Sequence, residues 1–167
     1  MAKTSLILIA MFFLSQKLNS TEIYGVPKII DGDTVHINNT KIRLEGIDAP
    51  EIKQQCKKPF LKISLIIGFE LNKNYSCGVT AKKKLIDKID NSKIKCISSS
   101  KDRYKRFLAT CFKDKINLNK WMVRNGNAVA YKRYSKDYVR DEAYAKENKL
   151  GVWEGSFIMP EKWRKLN

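Results

Sequence analysis

The chain has 167 residues, enough for one domain with a substantial core. Lys and Arg number 33 against 17 Asp and Glu, a formal charge of +16, which suits a polyanionic partner, either nucleic acid or an anionic membrane surface; a general lysine bias accounts for part of the excess. Four cysteines without a short Cys-x-x-Cys pair, and a single histidine (His36), argue against a zinc site.

Residues 1–20 read as a secretory signal: Lys3, then the apolar run Leu6–Leu14, then Leu18-Asn19-Ser20 ending on a small residue. The run is short for a bilayer span, which takes about 20 residues. Cleavage after Ser20 leaves a single domain over 21–167 that is exported, without stable membrane insertion; retention as an N-terminal anchor is the competing expectation. An even cysteine count in an exported chain implies two disulfides, with three possible pairings. Cys56 and Cys77 flank one loop, and Cys96 meets Cys111 if the segments around them pair as strands, so Cys56–Cys77 and Cys96–Cys111 are the expected bonds.

Residues 22–47 read as three strands. Pro27 marks an edge or a strand start. Val35 and Ile37 alternate with Thr34 and His36, Asn38-Asn39-Thr40 is a turn signal, and Ile42 and Leu44 alternate with Arg43, which therefore points away from the buried face. His36 is an ordinary surface residue on this reading. Residues 57–76 read as irregular, with the apolar stretch 60–67 as a packed loop and membrane contact as an alternative. A helix follows Gly78, with Ala81, Leu85, Ile86 and Ile89 at helical spacing. Strands are expected around Ile94–Ile97 and Phe107–Phe112. Asn117 caps a helix that Gly126 ends, and Ser135 or Asp137 opens a last one that Gly151 stops. The simplest closed solution is mixed β/α: an OB-type five-stranded barrel with one helix inserted after the third strand and two or more C-terminal helices.

The chemistry concentrates in Asp31-Gly32-Asp33-Thr34, Arg43 and Asp48-Ala49-Pro50-Glu51. Hard acidic oxygens without a Cys/His cluster favour Ca²⁺ or Mg²⁺. An arginine clamps phosphate through two parallel hydrogen bonds, and a spare carboxylate accepts a proton from water. Each piece alone also reads as a plain turn; the combination points to a metal-dependent phosphodiesterase.

These motifs, with Asp102-Arg103-Tyr104-Lys105-Arg106, resemble the thermonuclease (staphylococcal-type nuclease) family from about Ile23 to Leu150. The resemblance implies an OB-type barrel and Ca²⁺-dependent hydrolysis of DNA and RNA with little sequence specificity. It implies Asp33 and Asp48 as metal carboxylates, the Ala49 backbone carbonyl as a third ligand where family members often carry Thr, and Asp31 reaching the ion through water. Glu51 matches the general base, and Arg43 and Arg106 match the phosphate-binding arginines. Arg103, Tyr104 and Tyr131 resemble residues flanking the nucleotide. The stretch between Cys56 and Cys77 is longer and more apolar than the family pattern. A monomer acting on DNA and RNA is expected. The competing reading is a non-catalytic OB module that binds nucleic acid through its basic face.

Overall fold

The computed structural model describes residues 20–63 and 69–167. The expected signal segment, apart from Ser20, lies outside them. The elements in chain order are β1 (Thr21–Gly25), β2 (Lys28–Ile29), β3 (Thr34–Ile37), β4 (Thr40–Leu44), β5 (Ile47–Asp48), β6 (Gln55–Ile63), β7 (Phe69–Ser76) and α1 (Cys77–Ile89). There follow β8 (Ile94–Lys101), β9 (Phe107–Lys113), β10 (Ile116–Asn117), α2 (Leu118–Arg124), β11 (Val129–Ala130), α3 (Val139–Glu147), a 3₁₀ turn (Gly151–Glu154) and α4 (Pro160–Leu166).

The main sheet runs β1-β8-β9-β4-β3-β2. Pro27, which lacks an N–H, divides the first strand segment. Its first half pairs with β8 and its second with β3, so the sheet curls back on itself in the OB manner. β4 and β9 run parallel, Arg43 opposite Leu108. Asn38 and Asn39 turn the β3–β4 hairpin with φ of 46° and 64°, the left-handed pair a two-residue loop requires.

The alternation seen in sequence becomes the barrel interior. Val35, Ile37, Ile42, Leu44, Ile94 and Ala109 are buried, and α1 covers them with Ala81, Leu85 and Ile89. Ile86 lies off this face and is exposed. Asn117 Oδ1 accepts the Lys120 amide (2.9 Å), capping α2 as its side chain predicts. α3 begins at Val139, later than Ser135 or Asp137, and ends before Leu150. Among the described residues no helix is long and apolar enough to cross a membrane.

In the stretch read as irregular, the described residues pair as an antiparallel hairpin, β6–β7, whose register shifts between Pro59 and Leu61; 64–68, part of them in the apolar run 60–67, lie outside the described residues. Its lysine-rich strands lack the polar–apolar alternation that marks a half-buried strand. The hairpin base is fastened by Cys56–Cys77 and by Lys57, whose amide donates to Ser156 O (2.9 Å) while its carbonyl accepts the Ser156 amide (3.1 Å). The second disulfide joins Cys96 to Cys111 across directly paired positions of β8 and β9. Trp153 and Phe157 pack against a small second cluster around Cys56, Cys77 and Val152.

Candidate active site

The Asp31-Gly32-Asp33 turn is fixed by its own chemistry. The Asp33 amide donates to Asp31 Oδ1 (2.9 Å), and the Ile30 amide donates to Thr34 O (3.0 Å). A Cβ on Gly32 would lie 2.7 Å from Ala49 Cβ and 3.0 Å from Ala81 Cβ, so only glycine lets this turn press onto the Asp48-Ala49 segment and α1. The contact carries a bond: the Ala49 amide donates to Asp33 Oδ2 (2.9 Å). Ala49 thus contributes its amide, not its carbonyl, to the contacts seen here.

Arg43 bridges the two acids. Nη1 donates to Asp33 Oδ1 (2.6 Å) and Nη2 to Asp48 Oδ1 (3.0 Å). The Asp33 and Asp48 side chains are only 5 % and 2 % exposed, and that of Arg43 15 %. Burial works against the charged guanidinium, but Asp33 and Asp48 outweigh it and hold Arg43 above its ordinary range. Burial pushes the Asp48 carboxyl up despite its two arginine partners. Burial, and then the Asp33 charge, raises Asp31 to about 6.

The loop between Asp48 and β6 carries Glu51. Gln54, fully buried, organises it: its Oε1 accepts the Glu51 amide (3.3 Å), its own amide donates to Glu51 O (2.7 Å), and its Nε2 donates to Ile158 O (2.6 Å). Gln54 thereby links the Glu51 loop to the C-terminal segment, a role without any local sequence signal.

That segment supplies a residue the motif reading missed. Arg164, on α4, places its guanidinium between Asp48 and Glu51. Nη1 donates to Asp48 Oδ1 (2.9 Å) and Glu51 Oε1 (2.8 Å), and Nη2 to Asp48 Oδ2 (3.1 Å). These bonds raise Arg164 further against the opposing effect of burial. A basic residue in a C-terminal tail carries no signal of its own in one sequence.

Arg106 stands apart from this cluster. It is held in the turn before β9, with Nε and Nη2 on Asp102 Oδ2 (2.8 and 2.7 Å). The bonds from Arg106 lower the Asp102 carboxyl against its partial burial. The parallel register puts Phe107 opposite Ile42, so the turn lies beside the start of β4, the strand of Arg43. Tyr104 is exposed there, with Arg103 and Arg106 4.8 and 5.4 Å from its ring centroid. Tyr131 meets Tyr134 edge-on at 4.7 Å. It lines a cleft of about 430 Å³ with Asp48, Lys132, Arg133, Lys162 and Lys165.

Among the described residues, no three acidic, histidine or cysteine side chains converge as a ready-made metal cage. The donor set nonetheless fits a hard cation. Asp31, Asp33, Asp48 and Glu51 all offer carboxylate oxygens. They outnumber the two guanidiniums that touch them, and one of these cations, Arg164, already sits between Asp48 and Glu51.

Residues 41–155 match the family model described as Staphylococcal nuclease homologue. An uncharacterized endonuclease of Haemophilus influenzae is 33 % identical over 170 residues, covering 97 % of this chain and 83 % of that protein. The succinoglycan biosynthesis protein ExoI of Rhizobium meliloti is 33 % identical over 134 residues; the match covers 78 % of this chain but 64 % of that longer protein. A micrococcal nuclease of Shigella flexneri is 27 % identical, covering 85 % of this chain and 80 % of its own length. With the OB-type sheet and the acid–arginine cluster between β2 and β6, the matched span establishes that this chain belongs to the staphylococcal nuclease homologue family.

Proposed function

We propose that the protein is an exported, Ca²⁺-dependent nuclease that hydrolyses phosphodiester bonds in DNA and RNA with little sequence specificity. The observation that carries this reading is the Arg43 bridge between two buried carboxylates, Asp33 and Asp48, beside the partly exposed Glu51 and a basic cleft. A second guanidinium, Arg164, joins Asp48 to Glu51, so the acids extend beyond the single Arg43 ion pair.

Asp33 and Asp48 would hold the cation, with the Ala49 carbonyl as a further oxygen and Asp31 supporting through water. Bound Ca²⁺ would supply positive charge that neutralises the phosphate and the transition state. The remaining work falls to side chains. Glu51 accepts the proton of a water whose oxygen attacks phosphorus. The bond to the leaving sugar oxygen breaks, that oxygen takes up a proton from solvent water, and Glu51 returns its proton to solvent. The pentacoordinate state carries more charge on its equatorial oxygens than the diester does, so rigid guanidinium donors lower the barrier. Arg43 and Arg106 are assigned that role. Arg106 first exchanges Asp102 for phosphate. Arg103, Tyr104 and Tyr131 flank the nucleotide and offer π faces to bases.

Export is supported by the apolar leader Leu6–Leu14 and by two disulfides, which persist in oxidising compartments. The protein acts as a monomer in this scheme.

Plasmid and RNA digestion with Ca²⁺ and with excess chelator tests the reading, alongside Glu51→Gln. Cleavage is expected to stop in chelator. Glu51→Gln is expected to lose about 10²–10⁴ in single-turnover rate while still binding nucleic acid. Cleavage unaffected by chelator rejects the metal. Nucleic-acid binding without cleavage by the wild type in Ca²⁺ would leave a non-catalytic OB module.

A further inference from the structure

The catalytic scheme leaves Arg164 without a task, yet it makes three hydrogen bonds at the centre of the site. A carboxylate offers about four lone-pair positions. On Asp48 three are taken: Oδ1 by Arg43 and Arg164, and Oδ2 by Arg164. A cation that draws on both Asp48 and the Glu51 side must displace a donor. The two arginines are not equally displaceable. Arg43 lies within β4, is nearly buried, and is also held by Asp33 and, weakly, by Ile47 O (3.5 Å). Arg164 is 34 % exposed and rides on a seven-residue helix at the end of the chain.

We infer that Arg164 is an internal counter-ion that competes with the metal for Asp48 and Glu51, lowers the protein's apparent cation affinity, and leaves the site when the cation enters. The inference rests on the cation reading above. It gives the tail a function: between β6 and α4 the chain is anchored by Ser156 on Lys57 and Ile158 on Gln54, and these anchors deliver the arginine to the acids. With Arg164 seated, the Asp48–Glu51 side of the site is occupied by a cation of the protein's own and captures others poorly. At high cation concentration the guanidinium is released beside the basic cleft. If Arg164 is seated nine-tenths of the time, the apparent affinity falls about tenfold. Coupling is reciprocal, so the cation loosens α4 as much as α4 weakens the cation.

The test is Ca²⁺ titration by calorimetry of the full mature chain, comparing wild type, Arg164→Gln, Arg164→Lys, Lys165→Gln and Asp48→Asn. Amide hydrogen exchange over 160–166, with and without Ca²⁺, is read on the wild type. Arg164→Gln is expected to bind Ca²⁺ about tenfold more tightly, and Arg164→Lys to fall between, since one ammonium cannot span both acids. Exchange over 160–166 is expected to quicken with Ca²⁺. Lys165→Gln removes a neighbouring charge that bonds Glu161 (3.3 Å) and is expected to shift affinity less than threefold. Equal or weaker Ca²⁺ binding by Arg164→Gln, an equal gain in Lys165→Gln, or unchanged α4 exchange overturns the competition. If the wild type binds Ca²⁺ and Asp48→Asn does not, the cation reading stands whichever way Arg164 falls. If neither wild type nor Arg164→Gln binds Ca²⁺, both ideas are lost.

Discussion

Replacing Arg43 with lysine keeps the charge and removes the fork. Arg43 uses two different nitrogens on two acids, 2.6 Å to Asp33 and 3.0 Å to Asp48. One ammonium on a flexible stem cannot reproduce that bridge. Each carboxylate retains another donor: Asp33 keeps Thr34 Oγ1 (3.0 Å) and the Ala49 amide (2.9 Å), and Asp48 keeps Arg164. Neither acid is orphaned, so the stability cost is that of one charge-assisted bond, about 1.5–3 kcal/mol. In chelator, for a chain of this size, that lowers Tm by about 3–12 °C. The catalytic cost follows a different rule. Losing one preorganised donor to a developing oxyanion costs about 10²–10³ in rate. Single-turnover cleavage with saturating enzyme and Ca²⁺, below the variant's unfolding range, reads that term separately. Arg43→Lys is expected to lose at least a hundredfold there. Cleavage within about fivefold of wild type, with the lowered Tm, would mean that Arg43 only compensates Asp33 and Asp48 and takes no part on phosphate.

Two further substitutions probe the scaffold of the site. Asp31 titrates at about 6 in the folded chain against an ordinary 3.8, so between these values the folded state holds the proton more tightly and stability falls as pH rises. Asp31→Asn keeps an acceptor for the Asp33 amide without the charge; in chelator it should raise Tm at pH 8 and leave it unchanged near pH 4, and equal effects at both would refute this. Asn119, fully buried, accepts the Cys111 amide (3.0 Å) and donates to Glu45 O (2.9 Å) and Ala109 O (3.0 Å). Ala109 O also accepts the Glu45 amide, so Asn119→Ala orphans the buried Cys111 amide and the partly buried Glu45 carbonyl, worth about 1–4 kcal/mol in urea unfolding; a loss under about 0.5 kcal/mol would show that water replaces both.

What was legible in the sequence is what local pattern encodes. Val35 and Ile37 against Ile42 and Leu44 gave the barrel face through period-two alternation, and Asn38-Asn39 gave the turn because asparagine tolerates positive φ. Ala81, Leu85 and Ile89 gave α1, while Ile86 misled because its spacing fits the same stripe to within one residue. The β6–β7 hairpin was not legible: its strand residues are rich in lysine and do not alternate polar with apolar, so no period-two signal marks it. Arg164 and Gln54 were illegible for another reason. Arg164 meets Glu51 from 113 residues away, and Gln54 meets Ile158 from 104, so their roles exist only once the tail has wrapped back. Arg106 was half legible, because its partner Asp102 lies four residues before it in the same turn.

The loop that carries Asp48 and Glu51 has no regular structure beyond the two-residue β5, yet it holds a definite shape because neighbours close on it from three sides. Gly32 approaches Ala49, and a Cβ on Gly78, at the start of α1, would lie 1.8 Å from Glu51 O. The Cys56–Cys77 bond ties the far end of the loop to the same turn of α1, and Gln54 satisfies its amide groups from within. Binding residues on a loop clamped by rigid elements keep their geometry although the loop itself lacks regular structure. The clamp also separates the two acids by environment. Asp48 is 2 % exposed and takes three bonds from two arginines, whereas Glu51 is 34 % exposed and takes one from the displaceable Arg164. A group that is to hold an ion gains from desolvation, because its attraction to the ion is screened less. A group that is to accept a proton from water must meet that water. Three residues apart, the chain places one acid in each environment, which is the division of labour the proposed hydrolysis needs.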